Sequence, residues 1–179
     1  MFSIKSYIKA PHKVINDLKK ATSQPEAYFV DIDNEQKIIK IKNQLGLNYL
    51  EGAIYITFNN QIIMSYEMWD LVDTLWSYVL ILIQDLIDKN KSDIYFPDQA
   101  IQIKMQANKD IVIFSLVMPN NETRQWLLPK DLFLKALLDG AQHFFAKMFL
   151  IFEENQEDYS DELKKIKNLK KKLETKNIH

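Results

Sequence analysis

One segment constrains the fold more than any other. Wound at about 100° per residue, residues 67–88 gather Glu67, Asp70, Asp73, Ser77, Gln84, Asp85 and Asp88 into one polar stripe. Trp69, Leu71, Val72, Leu75, Trp76, Val79, Leu80, Leu82, Ile83, Leu86 and Ile87 cover the rest. A helix so apolar on most of its surface must lie against a sheet and leave only a narrow acidic face outside. Residues 129–154 repeat the theme. Leu132, Phe133, Leu137, Phe144, Met148 and Ile151 line one side, and Leu134, Leu138, Phe145, Phe149 and Phe152 another. Gly140 in the middle costs about 1 kcal/mol relative to alanine, so it implies close packing or a bend. Each segment carries several charged residues, which fits buried helices better than membrane spans.

The sheet partners are legible as alternating runs. Residues 53–58 and 61–65 flank Asn59-Asn60, a pair that tolerates positive φ, and predict a tight hairpin. Ile101, Ile103 and Met105 alternate with Gln102, Lys104 and Gln106, whereas 111–117 is apolar on both faces, as a central strand should be. Residues 123–128 add a further strand. Earlier in the chain, 11–21 reads as a short helix with Pro11 in its first turn, and 27–32 and 37–42 read as strands. Residues 89–93 close the first long helix. In the tail, Ser160-Asp161-Glu162 caps a helix running to about Lys176, with a thin seam of Leu163, Ile166, Leu169 and Leu173. The expectation is one α+β domain over 1–179. It holds an antiparallel, meander-type sheet, two long helices packed on it and a polar, charged C-terminal amphipathic helix at 155–179.

Composition narrows the function. Net charge is −1 and Arg124 is the single arginine, so nucleic-acid recognition, which leans on bidentate arginine, is not expected. Cysteine is absent, which removes thiolate metal sites and thiol nucleophiles. The N-terminus lacks the basic-then-apolar pattern of a signal peptide, so a cytoplasmic address is expected and no membrane partner. Three glycines cannot build a phosphate loop or a nucleophile elbow.

Other chemistry is sparse. Asp31-Ile32-Asp33-Asn34-Glu35 begins like a calcium loop, but Gln36 stands where glycine is required and Lys42 where glutamate is required. Asp139 and His143, four apart on a helix, could share a proton or a metal, yet His12 and His179 lie near the chain ends. No catalytic residue, cofactor or metal is therefore assigned, and an enzyme is not expected. The acidic stripe could meet a basic protein, with a solvated face as the plain alternative. The Phe145–Phe149–Phe152 face could be covered by the C-terminal helix or form a homodimer contact. The lysine-rich tail reads as a solvated helix.

Taken in order, the hairpin, the Trp69-Asp70-x-x-Asp73-x-x-Trp76 helix, Phe96-Pro97-Asp98-Gln99, two strands, Trp126-Leu127-Leu128-Pro129 and the Gly140-centred helix resemble the immunity proteins of polymorphic or contact-dependent bacterial toxin systems. The resemblance spans roughly residues 52–152. It implies a protein that binds and neutralises a cognate toxin, and it supplies no functional residues, because the matching positions are mostly core. On that reading Glu67, Asp70, Asp73, Asp85 and Asp88 are the expected rim contacts to a basic partner. The alternatives are a small enzyme or ligand-binding protein with a site near Asp139 and His143, and a structural or regulatory homo-oligomer.

Overall fold

The computed structural model describes residues 1–153 and 156–176. Glu154 and Asn155, within the acidic stretch 153–158, and residues 177–179 of the tail lie outside the described residues. The α+β class holds, with antiparallel strands, two long helices and a C-terminal helix.

Among the described residues the strands form two sheets rather than one. The first takes β1 (Phe2–Lys9), β2 (Phe29–Asp31), β3 (Glu51–Phe58) and β4 (Gln61–Met64) in the order β2-β1-β3-β4, with β5 (Asp70–Leu71) paired to β3. The second is a simple meander of β6 (Lys91–Tyr95), β7 (Gln102–Asn108), β8 (Ile111–Val117) and β9 (Thr123–Pro129). β1 sits centrally because Ile4, Ser6 and Ile8 point inward while Ser3, Lys5 and Lys9 point out, and it pairs with β3 from Phe2↔Phe58 to Ile8↔Gly52. The hairpin forms as its sequence predicts: Asn59 and Asn60 adopt φ of 48° and 67°, the left-handed pair that matches strand twist.

Three local expectations are overturned. The helix predicted at 11–21 shrinks to α1 (Leu18–Ser23), because Asp17 accepts from the Lys20 N–H and sets the start there. The strand predicted at 37–42 is a helix, α2 (Glu35–Ile41), capped by Asn34 accepting from the Lys37 N–H, with Ile38 buried and Ile39 exposed. The helix predicted from 67 begins only at Val72: α3 runs Val72–Lys89, after a 3-10 turn at Tyr66–Met68 and the short β5. Asn90, at φ 61°, ends α3, and β6 starts directly after it.

α4 (Lys130–Ile151) and α5 (Gln156–Lys176) complete the order. α3 packs on β1, β3, β6 and β7, α4 on β1 and β9, and α5 on both α3 and α4. One contiguous buried cluster joins the three helices and both sheets. Trp76 is its largest member, 0% exposed, and its indole N–H donates to Ser6 Oγ at 3.0 Å. Gly140 lets α4 approach: a Cβ built there would stand 2.8 Å from Ile4 Cγ2 and 3.1 Å from the Trp76 ring. Close packing, rather than a bend, is its role. The surplus apolar face of α4 is covered by α5, where Phe145 stacks near Tyr159 (6.0 Å between ring centroids) and Ile166 and Leu169 are buried. Among the described residues no helix is long and apolar enough to cross a membrane.

Candidate partner-binding site

The fold decides which of the five stripe acids are free. Glu67 lies ahead of α3 and pairs with Arg124, which also holds Glu122 at 2.8 Å. Asp70 is 1% exposed. Its carboxylate accepts from the backbone N–H of Asp98 (3.0 Å) and Gln99 (2.8 Å), and from its neighbour Leu71 at 2.6 Å. Gln99 answers by donating its side-chain amide to the Trp69 carbonyl. The Trp69-Asp70 and Phe96-Pro97-Asp98-Gln99 phrases are therefore two halves of one joint between the sheets. Asp70 cannot be a rim contact, since every acceptor position it offers faces the protein. Asp85 pairs with Lys89 at 2.8 Å, and Asp88 accepts from Gln84 and lies 3.6 Å from Lys172 of α5.

Asp73, by contrast, lines a cleft. The N-terminal turns of α3 and α5 lie side by side there, and between them opens a space of about 360 Å³ lined by Asp73, Thr74, Ser77, Phe145, Asp158, Tyr159, Asp161 and Glu162. Helix dipoles explain why acids are tolerated on these turns, since Asp73 is in the first turn of α3 and Asp158 in that of α5. They do not account for Asp161 and Glu162, one turn further on. Those two have partners on their own helix, Lys164 at 2.8 Å and Lys165 at a loose 3.7 Å. Asp73 and Asp158 have no lysine or arginine within ion-pair distance among the described residues. Burial holds the Asp73 carboxyl above its usual range, against the lowering effect of hydrogen bonds from Thr74.

Tyr159 sharpens the picture. It is 3% exposed, and its hydroxyl has no hydrogen-bond partner among the described residues. Burial first, then the charges of Asp73 and Asp158, push the phenol above its ordinary pKa. Glu162 Oε2 is likewise buried without a hydrogen bond. Buried polar atoms are nearly always satisfied, so two at one cleft mark a place where something polar fits.

The remaining candidates separate. Asp139 binds Lys170 at 2.5 Å, while His143 turns the other way to Asp33 at 2.6 Å, so the two do not share a proton or a metal. The 31–35 turn is organised internally, with Asp31 accepting from the Asp33 N–H, and is pinned by Lys5, His143 and Lys147. Among the described residues no three His, Cys, Asp or Glu side chains are arranged to hold a metal. The tail lysines Lys164, Lys165, Lys170 and Lys172 all lie near carboxylates.

Asp158, Tyr159, Asp161 and Glu162 escape the sequence reading as a group because it starts the helix with a Ser160-Asp161-Glu162 cap, whereas α5 already begins at Gln156 and carries all four. The available signal was Tyr159 itself, an aromatic seven residues before Ile166 on the buried seam of α5. Compared with known protein families, with curated proteins and with solved structures, the chain matches none.

Proposed function

We propose that this protein is a non-enzymatic binding module that captures a basic surface of another protein and neutralises it, as the bacterial immunity proteins it resembles do with their cognate toxins. The observation that carries the reading is the α3–α5 cleft, where four carboxylates converge and two have no cationic partner among the described residues. Such a site speeds encounter with a cationic partner and penalises acidic ones. Asp139 and His143, the groups that could have supported catalysis together, are held apart, Asp139 by its ion pair with Lys170 and His143 by its hydrogen bond with Asp33. A module of this kind would act in the cytoplasm, where a toxin must be stopped before it reaches its target.

The test is affinity capture from the native organism with wild-type protein and with the Asp158→Lys/Asp161→Lys double variant. The double variant should stay folded and melt a few degrees lower, since opposing the α5 dipole and losing the Asp161–Lys164 pair costs about 1 kcal/mol. The wild type should retain one stoichiometric basic protein and the variant should lose it. Equal recovery by both would remove the cleft from the interface.

A further inference from the structure

We propose that the α3–α5 cleft is a receptor for a single guanidinium group, an arginine side chain of the partner, with Asp73 and Asp158 as counter-ions and Tyr159 as the neutral acceptor between them. The inference rests on the reading of this cleft as partner-binding and names what the cleft recognises.

An acidic cluster alone would not carry it, because first-turn acids are ordinary at helix N-termini. The independent observation is Tyr159, a lining residue of the same cleft whose buried hydroxyl is unpaired among the described residues. A neutral phenol has an O–H to donate and lone pairs free to accept, and the carboxylates beside it leave the accepting side to be filled by a donor. Asp73 and Asp158, from two different helices, can offer only acceptors. The missing species is thus rich in donors and positively charged.

Two features favour guanidinium over ammonium. The acceptors are spread across two helices and around a space of about 360 Å³, which suits the planar five-donor fork of arginine better than the compact three-donor head of lysine. The cleft also has an aromatic lining in Phe145 and Tyr159, and guanidinium is the cation that both stacks on aromatic faces and loses least on leaving water. The local lysines do not fill the role. Lys164 and Lys165 bind Asp161 and Glu162 at i,i+3, which leaves Asp73 and Asp158 to a visitor.

The test uses the whole chain, isotope-labelled, titrated with acetyl-Gly-Arg-Gly-amide and separately with acetyl-Gly-Lys-Gly-amide while backbone amide shifts are followed. The arginine peptide should give saturable shifts centred on residues 73–77 and 157–162, with millimolar affinity at least tenfold tighter than the lysine peptide. Asp73→Asn and Asp158→Asn should each weaken it about fivefold or more. Tyr159→Phe should weaken it about threefold without lowering the melting temperature, a combination that a merely structural tyrosine would not show. No saturable shift, shifts centred elsewhere, or equal affinity for both peptides would overturn the proposal. The capture experiment is independent. Loss of a partner in the charge-reversed variant together with no arginine preference would defeat this inference alone. Arginine selectivity without any captured protein would leave the guanidinium site standing and weaken the toxin reading.

Discussion

Asp70 and Asp73 are three residues apart in a chain that gives them opposite surroundings. Around Asp70, the β5 joint surrounds a carboxylate with backbone donors from a loop 28 residues away in sequence and seals it from water. Around Asp73, the α3–α5 cleft leaves a carboxylate with local hydrogen bonds from its own backbone and from its neighbour Thr74, beside Asp158. The first region uses negative charge to hold two sheets together. The second gathers more negative charge than its own residues neutralise. A buried acid with a full set of donors is architecture, whereas one lacking them is a cost that a ligand can relieve.

The comparison breaks most visibly at Asp70. Asp70→Ala would strand the Asp98 and Gln99 N–H groups, and the loss should be about 2–4 kcal/mol, measured as the urea midpoint of unfolding. Asp70→Asn, which keeps one acceptor, should lose about half of that. A loss below that of ordinary surface substitutions would mean the joint is not structural. In the cleft the sign reverses. Tyr159→Phe removes a buried hydroxyl without a partner and should gain up to about 1 kcal/mol.

Asp73→Asn should give a smaller gain, visible as a slope. The folded-state pKa of Asp73 lies above its ordinary 3.8, so between those two values the folded state binds more protons than the unfolded one and stability falls as pH rises. The variant should therefore lose less stability than wild type from about pH 4 to neutrality in a pH series of thermal melts. The smallest effect belongs to His143→Ala. Its pair with Asp33 is half exposed on both sides, so removal should change stability by less than about 0.5 kcal/mol.

Legibility followed the range of the deciding interaction. The Asn59-Asn60 hairpin, the β7–β8 pair and the bodies of α3 and α4 were readable because their patterns are local. Gly140 was readable as close packing or a bend, but neither the choice between them nor its neighbours Ile4 and Trp76 were in the local pattern. α2 was misread because Ile38, Ile39 and Ile41 satisfy neither period, and the decision fell to the Asn34 cap. The start of α3 was misplaced because Asp70 is drawn into extended backbone by a distant loop, which no helical wheel contains. β1 and β6 went unread; β1 pairs with β2 and β3, and β6 with β7, in two separate sheets. The cleft was half legible: Asp73 was singled out, but its companions lie on a helix that meets it only in the tertiary packing of α5 on α3 and α4.

α5 serves at once as a wall of the cleft and as the cover of the apolar face of α4. Its hold is a thin seam in which Tyr159, Ile166 and Leu169 are buried among many charges. Its backbone amides should accordingly exchange with deuterium sooner than those of α3 and α4. Whatever grips Asp158 also presses this helix onto Phe145, so occupancy lengthens its closed time by the factor 1 + [L]/Kd. The exchange rate of one helix thus becomes a clock that reads binding without any label on the ligand.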